Sequence, residues 1–362
     1  SFGSSAGDAP LRAARLGYDV LVDVAIRAAG NFLLVEGASF ATEPEARHGS
    51  FSLRTRMDAD LRSYLGGLSR VTERTVVARA AALPARGYLA MAAADLDGDG
   101  TTELALITAS AVSIVRLGTA RAGLRLVEVA RAAPPPELPA APWRARRPVA
   151  TAVRRDASVI ARSSELAAPM SITLDGGALA VARARGPCPD AAFPIDAGCA
   201  ELVPGRDFFD DEMVRLGAEG PTPHGAPGSF FAHAWRALRT REGEVVRYEA
   251  IVTPNGRLAV RIGERSVGAV GYGTALAMAD LDDDGTAELL ASGPQPAGGG
   301  DRLTLLRAFP RGALHVVWRS EPLAGSVWIA SSGDLDADGL EELLAIEEPA
   351  DPRSHARLWI VR

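Results

Sequence analysis

Three stretches of this sequence repeat one pattern of oxygen-bearing side chains: Asp95 to Glu103, Asp280 to Glu288 and Asp334 to Glu342. In each, carboxylates fall at positions 1, 3, 5 and 9, and a glycine at position 6 lets the backbone turn sharply. Alternate residues of a tight turn aim their side chains at one centre, and hard cations such as Ca²⁺ take six to eight oxygens at about 2.3–2.6 Å. The pattern predicts one Ca²⁺ per loop, about three in all. The ligands would be Asp95, Asp97, Asp99 and Glu103; Asp280, Asp282, Asp284 and Glu288; and Asp334, Asp336, Asp338 and Glu342. The backbone carbonyl at position 7, from Thr101, Thr286 or Leu340, adds a ligand that side-chain identity does not control. Three exposed acidic turns without metal are the alternative.

An EF-hand needs its bidentate glutamate at position 12, between two helices. Here position 12 is Leu106, Ala291 or Ala345, so that reading fails, and a dockerin-like loop fails with it. The loops sit between short apolar runs such as Leu89 to Ala94 and Leu104 to Ile107, or Val327 to Ser331 and Leu343 to Ile346. Such runs, bounded by turn residues, read as buried strands. Asp95-Leu96-Asp97-Gly98-Asp99-Gly100 followed by Glu103-Leu104 resembles the FG-GAP/VCBS repeat. That resemblance implies β-propeller blades with calcium in the hairpin loop between the first two strands of a blade.

A second repeated element supports blades. Val76-Val77-Ala78-Arg79-Ala80, Glu128-Val129-Ala130-Arg131-Ala132 and Ala180-Val181-Ala182-Arg183-Ala184 stand 52 residues apart. Val316 to Ser320 is a further copy and Leu258 to Ile262 a weaker one. A period near 50 residues built of short strands is what propellers give. The element is expected to be the outermost strand of a blade. Counting it gives about five blades, or six if the oversized region between Arg183 and Arg261 hides one. Pro134 to Pro142 reads as a stiff connection between blades.

Residues 1–70 read as a separate small α/β unit and 71–362 as the propeller. Leu11, Ala14, Leu21, Val24, Ala25 and Ala28 suit a helix, Phe32 to Val35 a strand, and Leu53, Met57, Leu61 and Leu65 a second helix. This order is similar to that of the N-terminal domain of TolB-like envelope proteins, an architectural likeness with no shared residue motif. The last blade supplies only three strands before Arg362. Val76 to Ala80 is therefore expected either to pair antiparallel with Leu358 to Val361 and close the ring, or to belong to the N-terminal unit near Leu34.

Composition narrows the function. The net charge of −6 argues against a general nucleic-acid binder. All 39 basic residues are arginine, which removes Schiff-base and P-loop lysine chemistry. No apolar run reaches the length of a membrane span. Cys188 and Cys199, separated by ten residues rich in Pro, Ala and Asp, are expected to form a disulfide in an oxidising compartment, with two free thiols as the alternative. Low-affinity calcium loops fill where calcium is millimolar, outside the cytoplasm. The chain is read as a mature exported form, periplasmic or extracellular.

The five histidines show no paired ligand spacing. Trp143 with Arg144, Arg146, Arg147, Arg154 and Arg155 forms a basic patch, and Asp207 to Glu212 mixes aromatic with acidic side chains. The expected function is a non-catalytic, calcium-stabilised scaffold that binds a protein or glycan in the cell envelope or on the cell surface. The alternative is a polysaccharide lyase or hydrolase with its site in the propeller funnel.

Overall fold

The computed structural model describes residues 15, 18–29, 32–42, 45–56, 76–120, 123–134, 150–155, 157–163, 169–184, 193–195, 198–204, 209–217, 220–223, 230–240, 243–294, 300–309 and 312–362. Packing divides the chain into two units, Ser1–Gly67 and Leu68–Arg362.

The described part of the first unit is an antiparallel meander of β1 (Val20–Ala29), β2 (Phe32–Thr42) and β3 (Glu45–Arg56). This corrects the helix expected over Leu11 to Ala29, because residues 20–29 are a strand. The β-branched residues Val20, Val22, Val24 and Ile26 alternate with period two, and side chains that lose rotamer freedom in a helix fit a pleated surface. Alanine and leucine satisfied the helical spacing only because they fit either period. The second expected helix begins inside β3, where Phe51 and Leu53 alternate in the same way; Met57, Leu61 and Leu65 lie outside the described residues. Val24, Gly37 and Phe51 are successive cross-strand partners. A Cβ on Gly37 would meet the Phe51 ring at 2.4 Å, so glycine admits the ring there.

Among the described residues the second unit shows six four-stranded antiparallel sheets, the blades of a β-propeller. Blade one is β5 (Tyr88–Ala94), β6 (Glu103–Thr108), β7 (Val112–Ala120) and β8 (Gly123–Ala132). Blade two is β9 (Ala150–Arg155), β10 (Ser158–Ser163), β11 (Met170–Asp175) and β12 (Ala178–Arg183). Blade three is β13 (Phe193–Ile195), β14 (Gly198–Pro204), β15 (Phe209–Gly217) and β16 (Gly220–Pro223). It is the blade hidden in the oversized region, so the described blades number six, the larger of the two expected counts. Blade four is β17 (Ala232–Arg239), β18 (Val245–Val252), β19 (Arg257–Ile262) and β20 (Arg265–Val270). Blade five is β21 (Leu276–Ala279), β22 (Ala287–Ser292), β23 (Leu303–Phe309) and β24 (Ala313–Arg319).

Blade six joins β25 (Gly325–Gly333), β26 (Glu342–Pro349) and β27 (Arg357–Val361) to a strand from the start of the unit, β4 (Ala78–Ala82). Trp359 stands opposite Ala80 in antiparallel register, and Val77 and Arg362 exchange both backbone hydrogen bonds, at 2.7 and 3.1 Å. The repeated Val-Ala-Arg element thus closes the ring, and the assignment of Val76 to Ala80 to the N-terminal sheet is overturned. Arg131, Arg183 and Arg319 also lie in outermost strands, as expected. The weaker copy is corrected: Leu258 to Ile262 is the third strand of blade four, and β20 lies outside it.

Among the described residues the core lies between blades, where the faces of neighbouring sheets meet. Ala92, Ile107, Ile114, Val159 and Ile172 pack blade one on blade two, and Tyr248, Val260, Met278, Leu289 and Leu306 pack blade four on blade five. Blade six packs on blade five through Leu290, Leu305, Leu343 and Val361, and on blade one through Leu104, Leu106, Leu344 and Leu358. Every residue of β5 and β21 is buried, which explains their runs of alanine and methionine.

Candidate metal centre

Each acidic loop joins the first and second strands of its blade, β5 to β6, β21 to β22 and β25 to β26. The three share one wiring. The leucine at position 2 (Leu96, Leu281, Leu335) is buried and anchors the loop in the core. Its backbone N–H donates to the position-9 glutamate, at 2.8 Å to Glu103, 2.9 Å to Glu288 and 2.8 Å to Glu342. The N–H of the glycine at position 6 donates to the aspartate at position 1, at 3.0, 2.8 and 2.8 Å for Gly100, Gly285 and Gly339. The N–H of residue 7 donates back to the aspartate at position 5, at 2.7 Å for Thr101, 2.9 Å for Thr286 and 2.9 Å for Leu340. Gly100, Gly285 and Gly339 adopt φ of 83°, 79° and 86°, a region open to glycine at little steric cost.

This wiring gathers carboxylates. Asp95, Asp97 and Asp99 each offer an oxygen within 4.8 Å of the others, as do Asp280, Asp282 and Glu288, and Asp334, Asp336 and Glu342. The predicted ligands outside these groups are Glu103, Asp284 and Asp338. All three side chains meet an arginine, as several of the clustered carboxylates also do: Glu103 accepts from Arg116 Nε at 2.6 Å, Asp284 pairs closely with Arg307, and Asp338 lies 3.8 Å from Arg362.

The electrostatics fit a site for a hard cation. Glu288 is fully buried, and its Oε1 has no hydrogen bond, with Arg307 Nε as a counter-charge at 3.4 Å. Burial, with Asp282 next in effect, pushes its carboxyl well above the usual range. Burial raises Asp280 to about 7 and Glu342 to about 8, and lifts Glu103 and Asp334 as well. Asp99, in the most open loop, moves the other way, held down first by the Thr101 N–H. Buried carboxylates are costly unless hydrogen-bonded or neutralised. A divalent cation with an all-oxygen donor set would supply that neutralisation.

No protein-family model and no curated protein matches the chain. Among solved structures it is similar to TolB from Acinetobacter baumannii, with 12% identity over 98% of this chain and 82% of that one, at a TM-score of 0.35. It is also similar to BBS1N in complex with ARL6DN, with 11% identity over 76% of this chain and 92% of that one, again at 0.35.

The arginines are what sequence reasoning missed. Arg116 is the cross-strand partner of Glu103, Arg307 that of Glu288, and Arg362 follows Val361, the partner of Leu343. Their distance from the loop in sequence varies, so no spacing reveals them. The usable signal was a charged residue inside an apolar third strand, as in Leu305-Leu306-Arg307-Ala308-Phe309. Of the other expectations, Cys199 stands in β14 opposite Pro194 and Leu216, while Cys188 lies outside the described residues. Trp143, Arg144, Arg146 and Arg147, with Pro135 to Pro142, Asp207, Phe208 and His224, also lie outside them. His315 is on β24, edge-on to Phe309 at 5.0 Å, and His233 reaches Glu249 at 3.2 Å within blade four.

Proposed function

We propose that this chain is a non-catalytic β-propeller of the FG-GAP/VCBS kind, stabilised by calcium and exported to the cell envelope or surface, where it presents a binding face to a protein or glycan. The observation that carries the metal reading is the pair of features in blade five: three carboxylates within 4.8 Å of one another, and a buried Glu288 oxygen without a hydrogen bond. Calcium would be held by the position 1, 3 and 9 or 5 carboxylates and would act as structural charge neutralisation, fixing the hairpin between the first two strands.

The test is elemental analysis of the purified protein together with melting in calcium and in chelator. Bound calcium near three per chain and a higher melting temperature in calcium are expected, since a ligand of the folded state alone stabilises it. An unchanged melt and no bound calcium would overturn the metal reading. A pull-down from envelope extracts, repeated after glycan digestion, separates the protein from the glycan partner.

A further inference from the structure

In all three loop-bearing blades an arginine in the third strand, or immediately after it, lies on the loop carboxylates. Arg116 Nη2 donates to Asp97 at 2.7 Å and Asp99 at 2.9 Å, and its Nε to Glu103 at 2.6 Å. Arg307 Nη1 donates to Asp282 at 3.2 Å, its Nη2 bonds Asp284, and its Nε lies 3.4 Å from Glu288. Arg362 Nη1 bonds Asp336. The arginine follows the position-9 glutamate by 13, 19 and 20 residues, so strand register and not chain spacing preserves the contact. Arg307 is itself 5% exposed and its guanidinium lies 5.6 Å over the Phe309 ring, a site built for a buried cation.

The oxygens these arginines take belong to the ligand set at positions 3, 5 and 9. A guanidinium fork binds carboxylates in fixed planar geometry and is always charged. A divalent ion drawn to the same oxygens must share them with it. We infer that Arg116, Arg307 and Arg362 are built-in counter-cations that hold each loop folded without metal and compete with a divalent cation for its carboxylates. This rests on the metal reading above. Loss of metal then exchanges one counter-charge for another, and each loop keeps its hairpin. Metal affinity is set in part by a residue that never ligates the metal.

The test uses the full chain, stripped with chelator and titrated with calcium alone by calorimetry, for the wild type, Arg116→Gln and Arg116→Lys. Arg116 is chosen because its side chain is 28% exposed, unlike that of Arg307. Removing one positive charge about 5 Å from a divalent ion should tighten one of the three sites by about tenfold. The same variant should melt lower than the wild type in chelator and recover in calcium. Lysine keeps the charge without the fork, so Arg116→Lys should tighten the site less while still melting lower in chelator. Unchanged or weaker calcium binding in Arg116→Gln would overturn competition and make the arginine a support for ligand geometry. Should that variant fail to fold, Arg116→Lys is read the same way, with no tightening overturning the inference. Calcium bound by the variant and not by the wild type would support it outright. No calcium in either would overturn the metal reading, and competition with it.

Discussion

Position 4 of each loop lies in the left-handed region, with φ of 74° at Gly98, 53° at Asp283 and 57° at Ala337. An ordinary L-residue there costs about 1–2 kcal/mol, and glycine returns about half of that gain through its freer unfolded state. Ala337→Gly should therefore stabilise the protein by roughly 0.5–1 kcal/mol, measured as a higher urea midpoint at unchanged slope. Position 6 of the second loop runs the opposite way. A Cβ on Gly285 would lie 2.6 Å from the Arg239 carbonyl oxygen and the Thr240 Cα, so Gly285→Ala should cost about 2 kcal/mol or more. The carboxyls set a pH dependence. In the metal-free folded chain Asp280 titrates near 7 and Glu342 near 8, both above their ordinary values of 3.8 and 4.5. Between those limits the folded state binds more protons than the unfolded one, so the stability these groups lend is full below about pH 4 and is lost as pH rises toward 8. In chelator the urea midpoint should fall from pH 5 to pH 8.5, and calcium should flatten the slope; a midpoint that rises over that range would contradict it. The clustered carboxylates were legible because their spacing is local. The arginines were not, because they meet the loop only through strand register.

At the scale of elements, the acidic loops and the closing strand could be read from the sequence, since each repeats a local pattern. Blade three showed only as surplus length between Arg183 and Arg261. Phe193–Ile195 and Gly220–Pro223 are short, rich in proline and glycine, and carry neither acidic loop nor Val-Ala-Arg element. The N-terminal sheet was missed for a different reason, because alanine-rich segments satisfy the helical period and the strand period together. Its β1 and β3 expose Val20, Val22, Val24, Ile26, Phe51 and Leu53, at 46–63% each. Such a contiguous apolar face is unusual on a monomer's surface. The protein should bind a hydrophobic dye, and Val22→Thr with Val24→Thr should lower that signal. Threonine keeps the β-branch, so the same pair should change stability by less than about 1 kcal/mol. Dye binding that is unchanged by the pair would place the exposed surface elsewhere.

The whole propeller depends on one seam, where β4 completes the sheet of blade six. The hydrogen-bonded pair Val77 and Arg362 and the alternation of antiparallel ladders put Arg79 and Ile360 in a further hydrogen-bonded pair. Arg79→Pro removes that donor and should lower the melting temperature, at a cost of about 3 kcal/mol. It should also promote aggregation, because the apolar edge Leu358-Trp359-Ile360-Val361 is then less well covered. Arg79→Ala, which keeps the N–H, should do neither. The seam also orders events in time. The strand Ala78–Ala82 is synthesised before its partner Arg357–Val361, which follows about 275 residues later. At translation rates of roughly 5–20 residues per second that interval is about 15–55 s. During it the emerging chain can stack the earlier sheets on one another but cannot complete the last. The nascent propeller is therefore an open arc with two unsatisfied edges, and it needs protection until Arg357–Val361 reaches Ala78–Ala82.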